Sequence, residues 1–490
     1  MFKKSLLLII TMLCLVLIVS CASSDGKTSD TTTVANNNEN VDETTAGETV
    51  LSDNLPDTDM EGTTVTFLNY TDAALSWALK QIHSSESTGD LVNDAIYTRN
   101  LKAEERFNVK IAEVEVADAI GTFKNAVMAG DAIYDIGQIG DEYINQLLIA
   151  NVMLSWDSMP YINLDAAWWN QDANNVFQLH GSQYAAIGDF NLAMYSKSYV
   201  YFFNKDMYND MNYDEDLYTV VKDGRWTADK LVSVAKDFSI DLNGDGVFNK
   251  DDQYGLIQTT KVHFSLLVTG AGVKFVDVDS NGVPYFAIPE NPRSIAVLQK
   301  LLELHTGGDW YFRTSTAMGG VEPELFKNGQ SLLIAATMWN TEMFREYDID
   351  IGILPAPKYD EAQENYHSIT VGGLVSAIPK TMTPERAENV SILLEALSFD
   401  SRINTLPIYK EVVLQTKYAR DAESSEMIDI IFNSQTYDLG VDIWTRARSS
   451  YIEKVFHDMK DVLASTTESL VPLMESEIQK TVEAVEALSN

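Results

Sequence analysis

The chain has 490 residues, 45% of them hydrophobic, with 72 acidic against 35 basic side chains and a formal charge of −37. That length supports two or three domains with ample core. A surface this acidic repels nucleic-acid phosphates and anionic lipid, so no nucleic-acid partner is expected, and an anionic ligand would need a local basic pocket. Cysteine occurs only at Cys14 and Cys21. The body of the chain therefore has no disulfide, thiol nucleophile or thiolate metal site.

At the N-terminus Lys3 and Lys4 precede an apolar run over 5–20, and the small Ser20 precedes Cys21. This is the layout of an export signal, too short to read as a membrane span. Ile18-Val19-Ser20-Cys21 resembles the lipobox of bacterial lipoproteins. The resemblance implies cleavage before Cys21, a lipid on Cys21, and anchoring to the extracellular face of a cell membrane, of the Gram-positive kind. Signal peptide 1–20 and a lipidated tether 21–62 are thus expected. The tether, rich in Thr, Asn, Asp, Glu and Ser, has too little apolar surface to fold.

The body begins with a strand at 64–68. An amphipathic helix over 90–107 carries Leu91, Ile96, Leu101 and Phe107, followed by a strand at 109–116, a helix at 123–129 and a buried strand at 134–139. Further strands are expected at 332–336, 349–354 and 374–378, and further helices at 294–305, 384–398, 424–432 and 452–488. Strands alternating with helices of this length mean βαβ units and a largely parallel sheet. Between a helix capped by Thr227 and a strand at 254–258 lies Asp241-Leu242-Asn243-Gly244-Asp245-Gly246-Val247-Phe248-Asn249-Lys250-Asp251-Asp252. Its oxygen ligands at positions one, three, five, nine and twelve, with glycine at six, have calcium-loop spacing. Asp241, Asn243, Asp245, the Val247 carbonyl, Asn249 and Asp252 would hold one structural Ca2+. The final Asp in place of Glu resembles dockerin-type loops and points to modest affinity.

Several phrases, in this order, carry a resemblance: Val92-Asn93-Asp94-Ala95-Ile96-Tyr97, Glu105-Arg106-Phe107-Asn108-Val109, Ala167-Trp168-Trp169-Asn170, Gly188-Asp189-Phe190-Asn191, Phe203-Asn204-Lys205, Phe326-Lys327-Asn328-Gly329 and Gly352-Ile353-Leu354-Pro355-Ala356-Pro357-Lys358. The chain resembles extracellular solute-binding proteins of the carbohydrate type (family 1), the receptors of ABC importers. The resemblance implies an α/β, two-lobed periplasmic-binding-protein-like fold of type II. Each lobe would be a mostly parallel sheet flanked by helices, joined by a hinge. Lobe one would hold 63–187 and 371–406; lobe two would hold 188–370 and 407–490. The implied function is capture of an oligosaccharide or similar neutral solute by cleft closure, and its delivery to an ABC permease in the cytoplasmic membrane. A monomer is expected.

Sugar sites combine aromatic faces with carboxylates and amides. Trp168 and Trp169 lie in a Pro/Asn-rich stretch without helical period, which disfavours burial of both. Trp339 follows a strand, where similar sugar receptors place a stacking tryptophan. Asp189 and Asn191 lie near the expected lobe crossing. Tyr70 and Thr71 follow the first strand, and Asp141 and Glu142 the third, at carboxyl ends where open α/β sheets bind ligands. Gly372-Gly373 would let backbone approach the ligand or the hinge bend.

The six histidines are scattered, and no GxSxG elbow, phosphate loop or dinucleotide GxGxxG is present. Gly270-Ala271-Gly272 lacks the third glycine. No enzyme activity is expected. A lipid-anchored glycoside hydrolase stays open as the alternative, since 72 acidic residues guarantee many carboxylate pairs, and so does a peptide receptor of the same fold.

Overall fold

The period-two runs of the N-terminal region form the parallel core of a first sheet in the computed structural model, which describes residues 51–306, 308–314, 320–370, 372–414 and 422–489. The export signal, Cys21, the tether up to residue 50 and the expected hinge start at 371 lie outside the described residues. The later part of the expected tether does not behave as one. Met60 is buried, its N–H donates to the Phe107 carbonyl at 2.8 Å, and Arg106 pairs with Asp53. Met60 and Leu55 supply the apolar anchorage that the polar composition around them masks.

Strands β1 (Thr63–Tyr70), β2 (Val109–Val116), β3 (Ile136–Gly140) and β4 (Met153–Leu154) belong to this sheet. Thr63 lies opposite Val109 and Phe67 opposite Ile136, both in parallel register. Between them run α1 (Leu91–Phe107), capped by the Asp90 carboxylate on Asn93 N–H, and α2 (Ala119–Ala129), capped by Asp118 on Gly121 N–H. In the second sheet lie β5 (Tyr199–Asn204), β6 (Tyr254–Thr259), β7 (Tyr311–Thr314), β8 (Ser331–Thr337) and β9 (Ile351–Leu354). A last strand, β10 (Leu374–Pro379), returns to the first sheet.

The orders are β2-β1-β3-β10-β4 and β7-β6-β8-β5-β9. In each sheet four strands point one way and one is reversed: β10 runs antiparallel to β3 and β4, and β5 antiparallel to β8 and β9. The reversed strands are those that arrive from the other lobe. A crossing chain enters at the cleft edge, where the parallel strands end, so it must run against them.

The chain leaves the first lobe later than the sequence suggests. Phe190 packs against Phe67 and Trp169 in the first lobe's core, and the crossing comes at Ser198–Tyr199. The helix Leu406–Leu414 packs on α1, so the first lobe also extends past residue 406. The helix expected over 452–488 is broken, because Met459 takes a left-handed conformation (φ 51°) before the long helix Leu463–Ser489.

Under the second sheet three groups form a proton-ordered chain. The His305 Nδ1 lies 2.6 Å from the Leu301 carbonyl, His263 Nε2 lies 2.8 Å from His305 Nε2, and Tyr201 Oη lies 2.8 Å from His263 Nδ1. A carbonyl only accepts, so His305 donates from Nδ1 and accepts at Nε2. His263 therefore donates from Nε2, and Tyr201 donates to His263. Both imidazoles are neutral, and burial pushes His263 well below its usual value and His305 down to about 4. A depressed imidazole contributes stability above its unfolded pKa that is lost as pH falls. Between pH 6.5, the ordinary histidine value, and pH 4, His305 should cost the wild type on the order of 3 kcal/mol of unfolding free energy. A His305→Gln variant should lose less over that range in denaturant titrations, and parallel pH profiles would refute the neutral chain.

Candidate functional site

The carboxyl ends of the parallel strands in both sheets face a cavity of about 950 Å³. The first lobe contributes Tyr70 at the end of β1, Gly140 at the end of β3, then Glu142 and Tyr143. Across it lie Thr259 of β6, Ala336 and Thr337 of β8, then Trp339 and Asn340. Lys197, Tyr199, Gly372 and Leu374 of the crossing segments form the floor.

Local geometry fixes the aromatic walls. Trp339 sits in a 3-10 turn, Met338–Asn340, where Asn340 Oδ1 accepts from Thr337 N–H at 3.1 Å and the Thr341 hydroxyl donates to the Met338 carbonyl at 2.6 Å. Trp77 is 50% exposed and stands on the irregular stretch between β1 and α1. That stretch is tied down at several points. Lys80 pairs with Asp72 at 3.1 Å and with Glu115, and Asn69 Nδ2 donates to the Lys80 carbonyl at 2.8 Å. Leu79 N–H donates to Ser196 Oγ on the crossing segment at 2.9 Å. The Lys197 ammonium then lies 5.8 Å from the Trp77 ring centroid, within cation–π range.

Below the floor Asp141 is buried, with Oδ2 accepting from Gly373 N–H at 2.7 Å and Oδ1 from Glu142 N–H at 2.7 Å. Burial pushes this carboxyl up to about 7, opposed by the charge of Lys197 and the Gly373 hydrogen bond. Burial also pushes Lys197 down to about 8, while Asp141 and Glu142 pull it back. Its Nζ donates to the Gly372 carbonyl. Gly372 has φ +64°, and a Cβ there would lie 3.2 Å from that Nζ. Only glycine serves both demands.

Of the residues singled out in the sequence, Tyr70, Glu142 and Trp339 line the cavity, and Asp141 lies beneath it. Four do not belong there. Trp168 and Trp169 are 5% and 1% exposed, and both indole N–H groups donate at 2.8 Å to the buried Glu395, one to each carboxylate oxygen. Trp169 also packs edge-on against Trp156 at 5.5 Å. The lack of helical period reflected an irregular core segment, stitched by a carboxylate from a distant helix. Asp189 is buried and paired with Arg402 at 2.5 Å, accepting from Tyr195 Oη at 2.6 Å. Asn191 Nδ2 donates to the Leu374 carbonyl at 2.8 Å. Both brace the crossing rather than reach the cavity. Sequence reasoning missed Trp77, Tyr143, Lys197 and Lys261, all four of which line the cavity. Trp77 had one signal: a tryptophan in the long gap after β1, at the carboxyl edge of the sheet.

The loop 241–252 is wound as its glycines suggest, with Gly244 and Gly246 at φ 73° and 77°. Asp241 accepts from the N–H groups of Gly244 and Gly246, Asn243 from Asp245, Asp245 from Val247, and the fully buried Asp252 from Leu242 and Asn249. The Val247 carbonyl takes Asn249 Nδ2 at 2.9 Å. No three His, Cys, Asp or Glu side chains converge to hold a metal among the described residues. The donors are hard oxygens, and each carboxylate oxygen keeps a second lone pair, the chemistry calcium takes.

With this geometry in hand, solved structures give a clear likeness. The chain is 16% identical to UspC of M. tuberculosis, over 84% of this chain and 100% of that one, with a TM-score of 0.56. It is 11% identical to a cyclo/maltodextrin-binding protein complexed with maltotetraose, over 87% of this chain and 97% of that one, with a TM-score of 0.54. The chain has the maltose-binding-protein-like two-lobed fold. No protein-family model matches the sequence, and no curated protein matches it.

The two kinds of tryptophan separate experimentally. Glu395→Ala leaves two buried indole donors unpaired, at about 1–3 kcal/mol each. Denaturant unfolding should show that loss, whereas Trp77→Ala should change stability by less than about 1 kcal/mol. Equal losses would remove the distinction between core and cavity indoles.

Proposed function

We propose that this protein is a solute receptor that captures a carbohydrate, an oligosaccharide by the size of the cavity, and hands it to an ABC permease. The observation that carries the reading is the interlobe cavity, with Trp77 and Tyr143 on one lobe and Trp339 on the other. Aromatic faces suit the C–H faces of sugars, and Glu142, Asn340 and Thr337 offer partners for hydroxyls. Ligand touching both lobes stabilises the closed arrangement by its differential contacts, with no bond made or broken. The maltotetraose bound to the cyclo/maltodextrin-binding protein of the same fold supports this choice of ligand class.

We further propose that Cys21 carries lipid, which keeps a diffusing receptor beside its permease. One acyl chain holds a protein only marginally and two hold it well. Loop 241–252 would take one structural Ca2+ through Asp241, Asn243, Asp245, the Val247 carbonyl, Asn249 and Asp252. Acceptors already engaged with the loop's own N–H groups favour modest affinity.

One thermal-shift screen addresses ligand and ion together. Maltotetraose or another neutral oligosaccharide should raise the unfolding temperature and be recovered intact. Trp77→Ala and Trp339→Ala should each weaken that ligand about tenfold or more, as loss of a central aromatic anchor does. Calcium at ten times its dissociation constant should add about 1.4 kcal/mol, reversed by chelator. Stabilisation by peptides alone would overturn the sugar reading, and release of reducing ends would make the protein a glycoside hydrolase. Cys21→Ala should shift the protein from the membrane fraction to the medium, and unchanged fractionation would exclude the anchor.

A further inference from the structure

The second-lobe wall of the cavity is built from two strands that end side by side. β6 and β8 run parallel, with Ile257 opposite Ile334 as their last paired residues. The segments that follow therefore leave the sheet as neighbours, about 4.8 Å apart. One turns into the helix Thr260–Gly270, and the other into the turn that carries Trp339. Thr259, Lys261 and Val262 all line the cavity, together with Thr337, Trp339 and Asn340. The first turn of the helix thus faces the cavity, and presents its unshared N–H groups and positive dipole end to a solute there.

This end of the helix is unfinished. Thr259 is the N-cap residue, yet its side chain caps no N–H. It is 3% exposed, and its hydroxyl has no hydrogen-bond partner among the described residues. A buried polar group left in that state is a cost that a ligand removes. Lys261 is exposed and forms no ion pair or hydrogen bond among the described residues. Asn340 commits its Oδ1 to the Thr337 N–H and hydroxyl, at 3.1 and 2.9 Å, which leaves its Nδ2 group to donate. The uncommitted groups on this wall are therefore donors, one of them charged. The other charges of the cavity stand elsewhere. Lys197 is bonded to the Gly372 carbonyl and faces Asp141 below it. Glu142 belongs to the opposite lobe, and Glu453 to the helical turn Tyr451–Val455 that packs on the helix. Both attract Lys261, and neither reaches ion-pair distance of its Nζ.

We propose that the captured oligosaccharide carries a carboxylate, as a uronic acid does, seated on the first turn of the helix Thr260–Gly270 between Lys261 and the Thr259 hydroxyl. The proposal rests on the receptor reading and names the class of sugar taken. A ring stacked on Trp339 stands beside the end of β6. There its carboxylate accepts from the ammonium, the threonine hydroxyl, the first-turn N–H groups and Asn340 Nδ2. Neutral rings bind by the same stacking and lack this set of charge-assisted bonds. A chain of formal charge −37 repels acidic solutes, so a receptor for them needs such donors at close quarters. One unpaired ammonium, with Glu142 and Glu453 nearby, suits a single negative charge rather than the nearly double charge of a phosphate ester.

Titration calorimetry with tetragalacturonate and tetramannuronate, each beside its carboxyl-reduced counterpart, tests the assignment. Reduction removes the charge and keeps ring, linkage and length. At least one acid should bind about tenfold or more tightly than its reduced form, and its advantage should shrink as salt rises. Lys261→Met should lose about that factor for the acid and nothing for the reduced chain. Thr259→Val should also weaken the acid, without lowering the stability of the free protein in denaturant unfolding, because the hydroxyl it removes has no partner. Reduced chains that bind as tightly as both acids overturn the proposal and leave the receptor reading intact. A preference for the acid that survives both substitutions overturns the site. Binding of peptides where all four sugars fail overturns the proposal and the sugar reading together.

Discussion

The fold depends on carrying one chain between two sheets without leaving buried backbone unpaired. Asp141 meets that demand at the centre of the molecule. Its carboxylate accepts the Gly373 N–H, and its own N–H donates to the Gly373 carbonyl at 3.1 Å. The return crossing is thereby sewn to the end of β3. Lys197 does the reciprocal work from the outgoing crossing, and Gln435 ties in a third segment by donating to Met194 O and Ser198 Oγ. With the crossings placed in this way, the reversal of β5 and β10 and the cavity above them follow from geometry.

The same residues join architecture to binding. The crossing segments form the floor of the cavity, so a charge that secures the hinge also lies beside any ligand. Lys197 shows this best. It is buried, bonded to the Gly372 carbonyl, influenced by Asp141, and placed near the face of Trp77.

Much of the architecture was legible because it rests on local pattern. The runs at 109–116 and 374–378 became strands within a residue of expectation, and Thr227 caps the helix it precedes. The carboxyl-end rule located Tyr70 and Glu142, and a position after a strand located Trp339. What stayed hidden was long-range pairing. Nothing near Trp168 and Trp169 announces that Glu395, more than two hundred residues away, will occupy both indoles. Nor does the sequence around Asp189 reveal Arg402 as its partner. A carboxylate or indole in an irregular segment reads alike whether it faces solvent or a distant helix, and only the tertiary partner decides. Trp77 was passed over for the opposite reason, because its gap lacks period and its exposure comes from anchors at Asn69, Lys80 and Ser196.

The distribution of tryptophan has an optical consequence. Of the eight indoles, Trp156, Trp168, Trp169, Trp226, Trp310 and Trp444 are buried, and Trp77 and Trp339 line the cavity. Six emitters in fixed surroundings supply a steady background, while the other two stand where water and solute exchange, one on each lobe. Changes in intrinsic emission, in wavelength or in quenching by dissolved iodide, therefore arise from the cleft and carry little from the core. The protein reports on its own cleft without an added label.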